Sequence, residues 1–255
     1  MSLLEIKDVN MNYHTKNGVT EAIKNINFNI EEGDFVSIVG PSGCGKSTLL
    51  NIISGLLEPS SGEVVYNDPD VKNNLDKMVY MFQKDYLFPW LTVRENVLLG
   101  LKIKGFLTVD NIERADNLLK NYDLEKFKDH KPTQLSGGMR QRVALIRTLA
   151  LNPRILLLDE PFSALDYQTR QKLTDDVYEI IKREGKTAIM VTHDIGEAII
   201  MSKRVIVLTK RPATIKDDMK IVFANSDKTP FNKRREPEFN KYFSELWQEV
   251  DGLNG

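Results

Sequence analysis

A chain of 255 residues, 41% hydrophobic and 28% charged, can bury one large core or one core with an inserted lobe, and is neither disordered nor low in complexity. Its formal net charge of −1 gives no electrostatic footprint for nucleic acid, and the short basic run Lys233-Arg234-Arg235 reads as solvated surface. The single cysteine excludes an internal disulfide, no segment reaches the ~18 apolar residues of a membrane span, and the first residues lack a signal-peptide pattern, so a reducing, cytoplasmic setting is expected.

Alternating apolar residues at Leu4-Glu5-Ile6 and Ile26-Asn27-Phe28-Asn29-Ile30 predict half-buried antiparallel strands, followed by a turn at Glu31–Asp34. Phe35–Val39 is different: a short continuous apolar run, the pattern of a strand buried on both faces of a parallel sheet. Directly after it comes Gly40-Pro41-Ser42-Gly43-Cys44-Gly45-Lys46-Ser47-Thr48, which fits G-x-x-x-x-G-K-[ST]. Such a loop turns backbone N–H groups into one concavity for phosphate oxygens, and Gly43 and Gly45 permit that path. A helical stripe follows (Leu49, Leu50, Ile52, Ile53, Leu56, ending near Gly55) and aims its N-terminal dipole at the anion. Lys46 can reach the β- and γ-phosphates and Ser47 can ligate Mg²⁺. Cys44 reads as a small filler, because no His or Asp is grouped with it as a base.

Gln83 follows the apolar run Met78–Phe82, at a strand end where an amide can touch Mg²⁺ or the attacking water. Two roles are open for the bulky stretch Asp85–Trp90: lobe core, or a groove for a helix of a membrane partner. Beyond it the strand signal disappears until Ala150. Ile112, Ala115, Leu118, Leu119 and Tyr122 have helical spacing, and a second helix is expected after Ser136. There, Leu135-Ser136-Gly137-Gly138-Met139-Arg140-Gln141-Arg142 makes a second anion-binding helix start. One ATP does not need two cradles, whereas two chains facing head to tail do.

The apolar run Ile155–Leu158 ends in Asp159-Glu160-Pro161, a carboxylate pair at the edge where α/β sheets bind ligands. Asp159 is suited to Mg²⁺ and Glu160 to serve as general base for the attacking water. Asp166 is a candidate cap for a helix carrying Leu173, Val177, Ile180 and Ile181. Thr187–Val191 is another buried run, and His193 after it is placed to contact the γ-phosphate. Val205–Leu208 is a last such run. Phe239, Tyr242, Phe243, Leu246, Trp247 and Val250 form a helical stripe expected to cover the domain's own surface.

In order, Tyr13, Gly40–Thr48, Gln83, Leu135–Arg142, Ile155–Glu160, Ser163-Ala164-Leu165-Asp166 and His193 resemble the A-loop, Walker A, Q-loop, signature, Walker B, D-loop and H-loop of the ABC ATPase family, over essentially the whole chain. The resemblance implies an α/β fold: a P-loop NTPase (RecA-like) core with a mostly parallel sheet, an N-terminal antiparallel β subdomain and an inserted helical subdomain. The whole chain, residues 1–255, is then one domain, with the helical lobe over about 86–150 and a C-terminal helical extension over about 226–255. It implies ATP and Mg²⁺ as cofactors and a nucleotide-sandwich dimer, in which Tyr13 stacks on adenine and Ser136, Gly137 and Gly138 act on the partner chain's ATP, with Asp166 beside them. Leu87–Val97, Met139, Ala164–Arg170 and Arg234–Phe239 resemble the nitrate/sulfonate/taurine-type importers. Their ATPase subunits work with a second ATPase chain, an integral membrane permease and an extracytoplasmic solute-binding protein, on the inner face of the membrane. The alternatives are a soluble ABC ATPase of regulatory or repair type and a small-molecule kinase, which would leave the signature without a role.

Overall fold

The computed structural model describes residues 2–16, 18–67, 78–163, 165–224 and 229–251; Ala164, 226–228 and 252–255 of the segments singled out above lie outside the described residues. β1 (Ser2–Thr15) and β2 (Gly18–Glu31) pair antiparallel. Ile26, Phe28 and Ile30 face inward between exposed neighbours, so the alternation is the fold of this pair. β3 (Phe35–Val39) leaves for a second sheet, and β4 (Ser61–Tyr66) returns to complete the first, in the order β2-β1-β4.

The second sheet joins β3 to β5 (Met78–Met81), β6 (Ile155–Asp159), β7 (Thr187–Val191), β8 (Arg204–Leu208) and β9 (Ile215–Lys220), in the order β5-β6-β7-β3-β8-β9. All pairs are parallel except β8–β9. Every residue of β3 and β7 is buried, which is why these strands read as unbroken apolar runs. Because β3, β5, β6 and β7 run the same way, the loops after them open at one sheet edge, with β3 beside β7 and β7 beside β6. Gly40, Gln83, Asp159 and His193 all follow those strand ends.

α1 (Lys46–Ile53) starts inside the glycine loop and buries Leu49, Leu50, Ile52 and Ile53. It ends where the stripe suggested, just before Gly55, which takes φ 73°; Leu56 beyond it is exposed. Between β5 and β6 lie α2 (Val93–Ile103), α3 (Val109–Asn121) and α4 (Gly137–Ala150), with no strand among the described residues. α2 was not anticipated. Its signal was present as a capping box, in which Glu95 N–H donates to Thr92 Oγ1 (3.1 Å) and Thr92 N–H donates to Glu95 Oε2 (2.6 Å). In Asp85–Trp90 the side chains divide: Leu87 is core, whereas Tyr86 (59%) and Trp90 (67%) stand exposed.

α5 (Tyr167–Arg183), α6 (Ile195–Met201), α7 (Pro230–Lys233) and α8 (Pro237–Asp251) complete the chain. α8 docks on its own chain as expected. Leu246 is fully buried in a cluster with Val39, Ile195 and Ile199, flanked by Phe239, Tyr242 and Phe243. Leu246→Ala is therefore expected to cost about 2–4 kcal/mol in denaturant unfolding, through lost transfer energy and the cavity left behind.

The basic run at 233–235 is not uniformly solvated. Lys233 is 6% exposed. Its Nζ donates to Ile200 O (3.0 Å) and Tyr178 Oη (3.1 Å) and lies 4.4 Å from the Tyr178 ring centroid. Burial holds its pKa down at about 8. A carbonyl, a phenol and a ring face replace water here, a set of partners that a charge run does not reveal. No helix among the described residues is long and apolar enough to cross a membrane.

Candidate functional site

The loop after β3 folds as a cradle because its glycines take conformations other residues avoid. Gly43 and Gly45 have φ of 72° and 132°, and a methyl group on Gly40 would fall 2.7 Å from the Leu208 carbonyl oxygen. Lys46 is nearly buried and lies across the loop, donating to Gly40 O (2.8 Å) and Pro41 O (3.0 Å). These carbonyls hold the ammonium at the floor of a cavity of about 520 Å³, lined by the loop together with Glu160, His193 and Arg211. Cys44 packs inward, as a filler does.

At the end of β6 the two carboxylates divide. Asp159 Oδ1 accepts from Ser47 Oγ (3.1 Å) and its Oδ2 from Tyr80 Oη (2.9 Å). Burial pushes its carboxyl above the ordinary range, and the bonds from Tyr80 and Ser47 pull it back. A hydroxyl and a carboxylate converging beside a phosphate loop are hard oxygen donors suited to Mg²⁺, which draws most of its shell from phosphate and water. Among the described residues no cluster of three His, Cys, Asp or Glu side chains offers a dedicated metal cage.

Glu160 sits at φ 46°, a strained conformation for a non-glycine residue, held by its N–H donating to Val191 O (2.8 Å). The turn throws its side chain into the cavity. There Oε2 meets His193 Nδ1 at 3.1 Å and Gln83 Nε2 at 3.4 Å. Gln83 also donates to Ser163 Oγ (2.9 Å). The structure thus gathers Lys46, Ser47, Gln83, Asp159, Glu160 and His193 at one sheet edge. Tyr13 is half-exposed near the end of β1, its hydroxyl 3.4 Å from Thr48 Oγ1.

The signature is elsewhere. Ser136 caps α4, its Oγ accepting from Met139 N–H (3.3 Å). With Gly138 it lines a separate cavity of about 320 Å³ beside Thr169 and Lys172, which shares no residue with the phosphate cavity. Asp166 caps α5, accepting from Thr169 N–H (3.1 Å), and hydrogen bonding from the Thr169 side chain first and its N–H second holds its carboxyl below the usual range.

Five contributors were missed by sequence reasoning. Tyr80 anchors Asp159 as described. Gln141, Arg140 and Arg147 of α4 grip the segment after β5: Gln141 Nε2 donates to Gln83 O (3.2 Å), Arg140 to the Asp85 carboxylate (3.0 Å) and Arg147 to the Asp85 and Tyr86 carbonyls. Arg211 donates to Gly43 O (2.8 Å) from the loop after β8. Arg211→Ala removes a charge-assisted bond that holds the loop at Gly43, and is expected to weaken nucleotide binding by about tenfold with a small drop in melting temperature; titration calorimetry beside a melting curve checks it.

The ABC transporter family model matches residues 23–163. The chain is 47% identical over 253 residues to the uncharacterized ABC transporter ATP-binding protein YtlC of Bacillus subtilis (strain 168), covering 99% of this chain and 97% of that protein. It is 43% identical to the nitrate import ATP-binding protein NrtD of Synechocystis sp. (95% and 93% covered). It is 39% identical to the taurine import ATP-binding protein TauB of Jannaschia sp. (99% and 94%). Among solved structures, a dimeric post-hydrolysis state of the ATP-binding cassette MJ0796 bound to ADP and Pi matches with a TM-score of 0.72 at 40% identity, covering 86% of this chain and 99% of that one. Matches of this depth along nearly the whole length leave one conclusion: the chain belongs to the ABC transporter family, as one of its ATP-binding, ATP-hydrolysing proteins.

Proposed function

We propose that this chain drives an importer as one of two identical ATPase subunits seated on a separate membrane permease, with a small anion of the nitrate, sulfonate or taurine type as cargo. The observation that carries the two-chain reading is the separation of Ser136–Gly138 from the phosphate cavity of the same chain. Head-to-tail pairing lays each signature on the other chain's γ-phosphate, where the start of α4 and its N–H groups favour negative charge. The dimeric state of the MJ0796 cassette supports this.

In each composite site the loop Gly40–Thr48 and Lys46 hold the phosphates, and Tyr13 stacks on the adenine. Ser47 and Asp159 would hold Mg²⁺, with Gln83 beside them; when bound, the ion neutralises charge on the β- and γ-phosphate oxygens. Glu160 takes the proton of the attacking water as general base. His193 holds Glu160 in place through Nδ1–H and faces the γ-phosphate, and Asp166 stands at the subunit boundary.

The lobe over about 86–150 receives the permease. Tyr86, Phe88 and Trp90 form its exposed aromatic face. Arg147 and Gln141 tie that face to Gln83, so a permease helix seated there is mechanically joined to the hydrolytic site. On this reading the chain works at the inner face of the membrane. The import functions named for NrtD and TauB support the anion reading. Purification of the tagged full chain from detergent extracts tests the proposal: a multi-span permease and a solute-binding protein recovered with it support transport, and the ligand of that binding protein identifies the cargo. Recovery with DNA or ribosomes alone overturns it.

A further inference from the structure

Arg170, near the start of α5, touches both halves of the machinery. Its Nη2 donates to Leu165 O at 3.1 Å. Leu165 and Thr169 in turn lie against the signature: a methyl group on Gly137 would sit 3.3 Å from Leu165 Cδ2, and one on Gly138 would sit 3.1 Å from Thr169 Cγ2. On its other side the guanidinium faces Asp194 at 3.8 Å and Glu197 at 4.0 Å. Glu197 Oε2 accepts from Thr192 Oγ1 (2.9 Å), so Arg170 borders the residues on either side of His193. His193 Nδ1 reaches Glu160. A continuous set of contacts therefore runs from Ser136–Gly138 to the general base within one chain.

The middle of this path is left open. Arg170 Nε and Glu197 Oε1 are both buried, and neither has a hydrogen-bond partner, although they face each other at 4.0 Å. Closing that gap by about 1 Å makes a charge-assisted bond; short of it, both groups bear a desolvation penalty. Glu197 is 3% exposed, and its carboxyl is pushed up to about 7, first by burial and then by Asp194, with the Thr192 hydrogen bond, Arg170 and His193 opposing in that order. At 4.0 Å, then, Arg170 compensates Glu197 only in part. An ion pair held just out of bonding range, its two facing atoms buried although the Arg170 side chain is a quarter exposed, leaves part of that penalty uncompensated and is the arrangement expected of an element with two states.

We propose that Arg170 is a positioning residue that carries the state of the signature end to the His193–Glu160 pair by closing on Glu197. This rests on the two-chain reading: the signature serves the partner's ATP and Glu160 the chain's own, so the relay couples hydrolysis at the two composite sites.

ATP hydrolysis by the full chain, with its Hill coefficient, and melting curves test it on Arg170→Ala, Arg170→Lys and Glu197→Gln. The wild type is expected to hydrolyse cooperatively. Arg170→Ala lowers kcat about tenfold with KM for ATP changed less than about twofold, and its Hill coefficient falls to 1. Arg170→Lys, which keeps the charge, restores part of both. Glu197→Gln keeps an acceptor for Thr192 and shows the same kinetic loss, yet melts about 3 °C higher at pH 8 and no higher at pH 5. The sign follows from a carboxyl whose folded pKa lies above its unfolded value of 4.5, so its stability is full below 4.5 and is lost as pH rises through about 7. The groups that face it are Asp194 capping α6, Arg170 on α5, and His193 and Thr192 in the loop between β7 and α6.

Arg170→Ala turnover within twofold of wild type with unchanged cooperativity overturns the relay. Kinetic losses that track lower melting temperatures in all three variants do the same, since they mark a structural role alone. Glu160→Gln chains that stay monomeric with ATP remove the two-chain reading and the relay together. Normal ATP-driven dimers with cooperative Arg170 variants remove the relay alone.

Discussion

Glu160→Gln is expected to lower ATP turnover by about 10²–10⁴-fold, the usual range for a positioned general base, while ATP still binds and dimers closed on it accumulate. The substitution changes the chemistry and little else. Glutamine has the same length and the same Cβ, so the strained φ of 46° is no worse for it, and the N–H bond to Val191 O does not involve the side chain. Its amide oxygen still accepts from His193 Nδ1, now 3.1 Å from Glu160 Oε2. The phosphate cradle is untouched, since Lys46 is held by Gly40 and Pro41 carbonyls. What is lost is the ability to take a proton. Single-turnover phosphate release, nucleotide titration and size-exclusion chromatography with ATP read the three parts separately. Turnover near wild type would take the base role from Glu160.

How far such a site can be read from sequence depends on how far its parts lie from one another. The central strands β3, β6 and β7 were legible because burial on both faces leaves no polar alternation, and the residues that end them, Gly40, Asp159 and His193, inherit their places from that. β4 and β9 were not. β4 reads Ser-Gly-Glu-Val-Val-Tyr, with burial confined to its end, and β9 is a charged edge strand in which only alternate residues are half-buried. α6, seven residues buried all round, carries no helical period to detect. α2 did carry a signal, the Thr92–Glu95 capping box. Tyr80 and Arg211 are illegible for another reason: Tyr80 finds Asp159 across 79 residues and Arg211 finds Gly43 across 168, and neither has a local pattern. Lys233 shows the reverse error, a charge run whose first member is buried by aromatic and carbonyl partners distant in sequence.

Gly137→Asp is expected to abolish ATP hydrolysis, by about 10²-fold or more, while the separate chain binds ATP within about twofold of wild type. The position separates fold from function. Gly137 is the first residue of α4, where an aspartate suits the helix dipole. A Cβ there meets Leu165 Cδ2, the far end of a flexible leucine, at 3.3 Å, and Arg140 Nη2 at 3.9 Å. The fold therefore loses little, and the melting temperature is expected to stay within a few degrees. What changes is the sign of charge at a helix start proposed to receive another chain's γ-phosphate. Two like charges brought together there oppose closure, so the variant is expected to stay monomeric with ATP, even in combination with Glu160→Gln. The comparison that decides is binding against turnover. If Gly137→Asp weakens ATP binding by the isolated chain as much as it slows hydrolysis, the signature touches its own nucleotide, and head-to-tail pairing is wrong. If binding is kept and turnover lost, the 320 Å³ cavity beside Ser136 works only when a second chain's ATP is placed against it.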